Sequence, residues 1–365
     1  MGLLDTIKAK LKLSKPVPLG LDISADAIII ASLSKTKTGY SVEALAQCAT
    51  PPNTIQDGEI VDPTAVGEAI RELLDEHGIE SETAVVAVGG QSTIIRLINL
   101  PQMPQAELDS YITYEAERYI PFAIEDVNLS CQIVNEGGED GEDDQMEVLL
   151  VAAQKNLVQS FITAAEEAGL GLTCVDVSSF AVTRALEKTE YLNEDQTIAA
   201  LLIQGPSTDI NIMSHGVPKF NRSVFIGYSY LVDNLINSLG IDEDSARMLL
   251  EQIDADPQGY EELSPEIEQA TEIIRPALSE LTGEISRSLD FYLSQGTGTL
   301  DRIVICGKGA SIRGLDRFLT TRLGIEVVVG NPFSTLDPGA VEVDEAQAPT
   351  YITAMGLAMR GLDES

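Results

Sequence analysis

One pattern of residues occurs twice in this chain and leaves few folds open to it. In each copy, three runs of strand-forming residues follow one another with short turns between them. Repetition of such a unit within one chain indicates two related halves, and 365 residues suffice for two domains with a core each. The first copy is predicted at Leu19 to Ile23, Ala27 to Leu33 and Tyr40 to Ala46, and the second at Ile198 to Ile203, Asp209 to Met213 and Pro218 to Phe225.

Helices alternate with further strands after the first copy. Asp62 is a good N-cap, Pro63 suits the first helical position and Gly78 ends the apolar face, so a helix is predicted between them. This alternation indicates an α/β fold. The remaining elements predicted for this half are a strand from Thr83 to Val88, a helix from Lys155 to Ala168, a strand from Thr173 to Val177 and a helix from Ser178 to Lys188.

The second half shows the same alternation and one long helix. Apolar residues from Ile267 to Tyr292 recur at spacings of three and four, which is typical of one helix face, and Pro276 predicts a kink in it. The other elements predicted here are helices from Tyr228 to Leu239, Asp242 to Ile253 and Leu315 to Leu323, strands from Arg302 to Cys306 and Glu326 to Val329, and a last helix from about Thr350 to Arg360.

A small α+β unit interrupts the first half. Its acidic loop holds seven acids and no base from Glu136 to Glu147, so it is expected to be solvated. The elements predicted are strands Thr93 to Leu97, Val127 to Val134 and Met146 to Ala152 and a helix from about Gln105 to Tyr119. The predicted domains are residues 1–15 (basic N-terminal segment), 16–90 with 154–195 and 348–362 (first domain), 91–153 (insert) and 196–347 (second domain).

The first fifteen residues differ from the rest in charge. They combine apolar residues at helical spacing with four lysines and one acid. This pattern is typical of a short helix on an anionic membrane face, and a frayed tail explains it equally well. No apolar run is long enough to span a bilayer, and no signal peptide is recognisable, so a cytoplasmic protein is expected.

Charge and ligand residues exclude two classes of protein. The 58 acids against 23 Lys and Arg give a net charge of −35, which excludes a non-specific nucleic-acid binder. The cysteines form no CxxC pair and there are only two histidines, so a typical zinc site is not expected, and no metal site is predicted. Strand interiors are the expected place for Cys48, Cys131, Cys174 and Cys306.

Three turns could together bind phosphate. Two are the first turns of the repeated pattern, and the third is glycine-rich and follows the strand ending at Cys306. Turn backbones present N–H groups to an anion, and glycine permits close approach. Each turn alone is a weak signal. The candidate nucleotide-binding residues are Asp22, Ser24, Gly205, Ser207, Thr208, Gly307, Lys308, Gly309 and Ala310.

Several local stretches, in this order, carry a resemblance to a known family. They are LGLDI from Leu19, DGEIVDP from Asp57, YEAERYIPF from Tyr114, EVLLVAA from Glu147 and RIVICGKGA from Arg302. Over residues 16–362 the chain resembles the actin-like ATPase superfamily and, within it, the PilM family of type IV pilus assembly proteins. The resemblance implies an actin-like (ribonuclease H-like) duplicated fold with ATP between the domains and an insert arranged as in FtsA.

The chain departs from the family at the nucleotide site. Members usually have glycine where Ser24 stands and lysine where Ile29 stands. A second Asp is expected near the second turn, where Leu202 most closely matches, and a Glu–Lys pair for the nucleoside falls on Arg247 and Leu250. We therefore expect ATP and Mg binding to be weak or absent, with no catalytic residues and no enzymatic activity.

The family resemblance also implies a partner. Members bind the N-terminal cytoplasmic peptide of PilN, an inner-membrane protein, in a groove between the first domain and the insert. The protein is then expected to be an adaptor at the inner face of the membrane that links PilN to the pilus motor. The candidate partner-binding residues are Arg96, Tyr114, Glu115, Tyr119, Ile120, Pro121 and Phe122.

Two other functions use the same fold. A small-molecule kinase needs a full set of phosphate contacts and a carboxylate base, which the second turn lacks. An FtsA-like division scaffold ends in an amphipathic membrane helix, which the sequence does not show after Gly361. The stretch from Tyr114 to Phe122 favours the pilus adaptor over both.

Overall fold

The structure is a computed structural model that describes residues 17–37, 39–137, 145–193, 195–257, 264–295, 298–339 and 341–364. The basic N-terminal segment, for which a helix on a membrane face and a frayed tail were both left open, lies outside these ranges. So does the centre of the acidic loop, which was predicted to be solvated.

Strands and helices alternate along most of the chain. The strands are β1 (Leu19–Ile23), β2 (Ala27–Lys35), β3 (Tyr40–Ala49), β4 (Ile55–Gln56), β5 (Glu59–Ile60), β6 (Thr83–Val88), β7 (Thr93–Pro101), β8 (Val127–Asn135), β9 (Gln145–Gln154), β10 (Gly171–Val177), β11 (Thr197–Gln204), β12 (Ser207–Ser214), β13 (Val217–Val224), β14 (Arg302–Cys306) and β15 (Val327–Val329). The α-helices are α1 (Pro63–His77), α2 (Gln105–Glu115), α3 (Lys155–Glu167), α4 (Ser178–Leu186), α5 (Tyr228–Leu239), α6 (Glu243–Gln252), α7 (Pro265–Ser294), α8 (Leu315–Leu323) and α9 (Ile352–Glu364).

Two sheets of the same topology confirm the predicted duplication. The first has the order β10-β6-β1-β2-β3 and the second has β15-β14-β11-β12-β13, so each joins an antiparallel three-strand unit to two parallel strands. We call the part built on the first sheet lobe I and the part built on the second lobe II. Strand bounds agree with the predictions to within a few residues.

Helices α4 and α9 lie between the two sheets. The core of lobe I packs β1 and β6 against α1 and α3 on one face. The core of lobe II packs β11 and β12 against α5, α7 and α8. The inward faces of the sheets meet α4 and α9, where Val182 of α4 packs with Leu202 and Ala181 packs with Val85.

The insert is a three-stranded antiparallel sheet, β7-β9-β8, with α2 on one face. Its edge strand β7 lies beside the edge strand β13 of lobe II. There the Lys219 ammonium lies 3.1 Å from a Glu147 carboxylate oxygen. The insert therefore contacts lobe II as well as the lobe from which its chain emerges.

One predicted bound is wrong, one element was not predicted and one prediction stays untested. The helix predicted from Gln105 to Tyr119 is an α-helix only to Glu115, and a 3₁₀ turn follows over Ala116–Arg118. The hairpin β4–β5, centred on Asp57 and Gly58, was not predicted, because two-residue strands leave no periodicity to read. Helix α7 runs unbroken through Pro276, and a kink there remains a prediction.

Each cysteine lies in a strand, as predicted, and none of the four forms a disulfide bond. Within the described ranges, no helix combines the length and apolarity needed to cross a bilayer.

Candidate functional site

The β1–β2 and β11–β12 turns meet at the cleft between the lobes. They border a cavity of about 390 Å³, which Asp57 and Gly58 of the β4–β5 hairpin also line. A Cβ on Gly205 would lie only 3.8 Å from the Cβ of Ala25, so the two turns are in near contact. Of the predicted nucleotide-binding residues, this cavity is lined by Asp22, Ser24, Gly205 and Ser207.

The other predicted residues serve packing or lie at a neighbouring cavity. Thr208 is fully buried, and its hydroxyl donates to the carbonyl oxygen of Ile226 at 2.6 Å. A Cβ on Gly309 would collide with the side chain of Ile203, so close packing against β11 already requires this glycine. Gly307 has φ of 83°, and Ala310 is buried beside it in the same turn.

Lys308 lines a second cavity of about 250 Å³ on the other side of Asp26. Its ammonium lies 3.0 Å from a Glu251 carboxylate oxygen and donates to the side-chain oxygen of Gln347 at 3.3 Å. It also lies 5.9 Å from the ring centre of Tyr228. The predicted phosphate lysine is thus engaged with groups of lobe II and the segment before α9.

Asp26 joins the two turns. It belongs to the first candidate turn but was not among the individual residues predicted to bind nucleotide. Its carboxylate accepts a hydrogen bond from the backbone N–H of Gly205 and another from the Ser229 hydroxyl at 2.6 Å. The Arg247 guanidinium lies 3.9 Å away. Burial raises the pKa of Asp26, while these partners oppose the shift. The feature of the sequence that could have indicated this contact is an acid, Asp26, in the β1–β2 turn, because the related β11–β12 turn contains Gly205, whose backbone N–H can donate to it.

Asp22 is buried at the end of β1. One of its carboxylate oxygens is buried without a hydrogen-bond partner. Burial raises its pKa to about 7, the neighbouring Gln204 amide opposes the shift and Asp26 adds to it. A carboxyl group with this pKa is substantially protonated at neutral pH.

A second acid lies opposite, on a strand where it was not expected. Asp22 pairs with Ile29 across β1 and β2, whereas Leu202 pairs with Asp209 across β11 and β12. Leu202 therefore takes the position related to Asp22, as predicted from the family resemblance, and an acid stands opposite it on the adjacent strand. Asp209 lines the cavity, so the inference that lobe II offers no acid there is wrong.

The Asp209 carboxylate is held by two hydrogen bonds. Its carboxylate accepts hydrogen bonds from the Ser223 hydroxyl and the backbone N–H of Gly90, and burial raises its pKa. Among the described residues, no cluster of three or more His, Cys, Asp or Glu side chains could hold a metal ion.

The family's other polar positions are apolar and buried here. Ile29, Leu202 and Leu250 are at most 2 % exposed and belong to hydrophobic cores. They cannot donate to a phosphate or ribose. Arg247 instead pairs with Glu243 and lies over the Tyr228 ring.

The predicted partner-binding residues lie on the insert. Tyr114 is 87 % exposed at the end of α2, whereas Ile120 is buried in the insert's core and Tyr119 and Phe122 pack partly against it. Glu115 pairs with Arg118. Pro121 is exposed, and exposed Arg96 lies, by strand alternation, on the face of β7 that also carries Ile98 and Leu100.

This segment lies at the end of the insert nearest lobe I. Helix α2 begins beside the later part of β8, where the Gln105 amide donates to the carbonyl oxygen of Cys131 at 3.1 Å. It packs along β8, and the starts of β7 and β8 pair with the same end of β9, so the C-terminus of α2 lies toward that end. At the first turn of α3, Lys155 donates to the carbonyl oxygen of Glu125 at 2.6 Å and Asn156 donates to Glu59 at 2.8 Å. The start of α3 therefore links the loop after Phe122 to the β4–β5 hairpin.

Comparisons with known proteins identify what the chain resembles. The family model described as type IV pilus assembly protein PilM matches residues 20–362. Among solved structures, a chain of a PilM-PilN type IV pilus biogenesis complex is 28 % identical and has a TM-score of 0.82, with 94 % of this chain and 98 % of that chain covered.

More distant structures share the fold. The ethanolamine utilization protein EutJ from Carboxydothermus hydrogenoformans is 16 % identical with a TM-score of 0.56, over 95 % of this chain and 90 % of that one. MreB5 of Spiroplasma citri, bound to AMPPNP, is 12 % identical with a TM-score of 0.52, over 96 % of this chain and 98 % of that one.

Proposed function

Because the chain belongs to the PilM family of type IV pilus assembly proteins and has the actin-like duplicated fold, we propose that it is an adaptor that binds the N-terminal cytoplasmic peptide of PilN. The observation that carries the proposal is the similarity, over nearly the whole chain, to a protein solved in a PilM-PilN complex. By extension, the adaptor connects PilN at the inner face of the membrane to the pilus motor.

The peptide is proposed to dock beside the start of α3. Exposed apolar surface flanks this point, with Tyr114 on the insert and Val61, 49 % exposed, just after β5. The hydrogen bonds of Lys155 and Asn156 hold the two flanks at a fixed separation. An extended peptide docking there would bury apolar side chains and gain main-chain hydrogen bonds.

Tyr114 is the residue to test first, because it is the most exposed aromatic of the predicted set and supports none of the core. We expect Tyr114→Ala to weaken binding of a PilN N-terminal peptide about tenfold or more, as an aromatic anchor would. Calorimetry with the purified protein measures this. Met248→Ala, at a 64 % exposed apolar residue of lobe II, is the matched control and should bind as the wild type does.

Two results would contradict the proposal, one its function and the other its peptide site. Absence of peptide binding by the wild-type protein would remove the adaptor function. Binding that survives Tyr114→Ala and also Tyr119→Ala with Phe122→Ala would leave the function but move the site elsewhere.

The cleft is proposed to bind nucleotide weakly and to catalyse nothing. Each lost charge-assisted contact is worth about 1.5 to 3 kcal/mol, so three apolar replacements weaken binding by several powers of ten. Micromolar Mg-ATP affinity by calorimetry, or ADP release in a coupled assay, would overturn this and favour a kinase-like enzyme.

A further inference from the structure

Asp26 belongs to lobe I, but its carboxylate ends among donors that belong to lobe II. We propose that this carboxylate occupies an oxyanion site built by lobe II and thereby latches the two lobes together. The inference goes beyond the proposed weakness of the nucleotide cleft and supplies one cause for it.

The donors around Asp26 suit an oxyanion such as phosphate. Gly205 stands in the β11–β12 turn with φ of 53° and directs its N–H to one carboxylate oxygen, and Ser229 directs its hydroxyl to the other. The backbone N–H of Ser229, in the first turn of α5, is fixed by a 2.8 Å hydrogen bond to the carbonyl oxygen of Gly205. A turn N–H and a hydroxyl on a helix's first turn are groups that bind phosphate in other proteins.

Positive charge completes the site. Arg247 of α6 is 3.9 Å from the carboxylate, and Lys308, from the turn after β14, adds favourable charge at longer range. Both cations lie over the Tyr228 ring, at 5.8 and 5.9 Å from its centre. Two hydrogen-bond donors and two cations that converge on one carboxylate make an environment for an anion rather than a neutral group.

Asp26 also joins the two turns that border the cleft. The β1–β2 and β11–β12 turns are in near contact, and Asp26 is 3 % exposed between them. A phosphate that needs the Gly205 N–H and the Ser229 hydroxyl must first displace the carboxylate. An attached carboxylate competes at a high effective concentration, whereas a free phosphate also loses translational freedom on binding.

Removing the carboxylate should therefore expose an anion site. We expect Asp26→Ala to bind inorganic phosphate at least about tenfold more tightly than the wild type, as measured by calorimetry at fixed ionic strength. Asp57→Asn is the matched control. It removes one negative charge from the same cleft without touching the Asp26 site, and asparagine tolerates the φ of 50° at that position.

Hydrogen exchange provides a second readout that does not depend on phosphate. Asp26→Asn keeps the side-chain volume but removes the negative charge that faces Arg247 and Lys308 and replaces one of the two acceptor oxygens with a donor, so it should loosen the latch. Exchange at the amides of Gly205 and Ser229 should accelerate about fivefold or more relative to Asp57→Asn. This measurement also serves if Asp26→Ala does not fold.

The outcomes separate the two ideas. If phosphate binds Asp26→Ala no more tightly than Asp57→Asn, or if exchange at Gly205 and Ser229 is unchanged in Asp26→Asn, the latch is wrong. If the wild-type protein binds Mg-ATP tightly while Asp26→Ala still gains phosphate affinity, the latch holds and the proposal of a weak nucleotide cleft fails.

Discussion

Asp22, Asp26 and Asp209 are all buried where the lobes meet, and their surroundings give them different properties. Asp26 has two hydrogen-bond donors and a nearby arginine, and Asp209 has two donors. Asp22 has an oxygen with no partner, and its pKa is raised to about 7. The sequence predicted Asp22 as a site residue because it ends a strand before a turn. It gave Asp26 only as part of the first candidate turn and did not predict Asp209, because their partners are distant in sequence.

The raised pKa of Asp22 makes a prediction about stability. Between the usual pKa of an unfolded aspartate and about 7, the folded state holds a proton that the unfolded state has lost, so this group lowers the free energy of unfolding as pH rises. Asparagine does not titrate. From about pH 5 to pH 8, Asp22→Asn should gain about 2 to 3 kcal/mol relative to the wild type.

Urea denaturation at the two pH values measures the effect of Asp22→Asn. Asp62→Asn, at an exposed helix N-cap, is the control, because it makes the same substitution outside the buried cleft. A stability difference between Asp22→Asn and the wild type that does not change with pH would mean that Asp22 titrates normally in the folded protein.

Secondary structure elements were predictable where they bury an apolar face of regular period. Thus α7 and the three-strand units follow from spacing alone. The β4–β5 hairpin and the early end of α2 do not follow from the spacing of apolar residues. A short hairpin is fixed by contacts such as the hydrogen bond from the Ile60 backbone N–H to the Ser160 hydroxyl oxygen on α3. The order of parallel strands also depends on how α4 and α9 pack, which periodicity does not encode.

The packing of α9 on β1 depends on a glycine. A Cβ at Gly20 would collide with the carbonyl oxygen of Ala354 and lie 2.5 Å from the backbone nitrogen of Ala358, and backbone atoms cannot move aside as a side chain can. We expect Gly20→Ala to lower the free energy of unfolding by about 2 to 4 kcal/mol.

Gly171→Ala tests whether the added methyl group itself is responsible. Gly171 also lies in a strand of this sheet, but its nearest neighbour to a new Cβ is the carbonyl oxygen of Glu82 at an ordinary 3.7 Å. Its stability should stay within about 0.5 kcal/mol of the wild type in thermal or urea denaturation. Equal losses in the two variants would rule out the collision as the cause.

At the scale of the whole molecule, the duplication and the fold class were predicted from the sequence and are confirmed by the matching strand orders of the two sheets. The domain limits remain predictions. The contacts between lobes and insert could not be predicted, because single pairs such as Asp26 with Ser229 leave no pattern in the sequence. The proposed latch consists of such contacts between the lobes, so it could not have been predicted from the sequence.

The insert should depend on charge for its contact with lobe II. Lys219 and Glu147 are 24 % and 32 % exposed, so their attraction is less screened than that of a surface pair, and a chain of net charge −35 supplies little other attraction. Reversing Lys219 to Glu places two acids together. We expect Lys219→Glu to speed hydrogen exchange in β7 and β13 about fivefold, measured by mass spectrometry of peptides from these strands.

A charge swap separates this electrostatic effect from a packing defect. Glu147→Lys combined with Lys219→Glu restores an opposite pair at the same positions, so exchange in β7 and β13 should return toward the wild-type rate. Lys35→Glu, which reverses an exposed ion pair with Asp363 inside lobe I, should leave both strands unaffected. If the amides of β7 and β13 exchange as fast in the double variant as in Lys219→Glu alone, packing of the edge strand holds the insert against lobe II. The charge of lobe II would then have no effect, through this contact, on a peptide bound beside the insert.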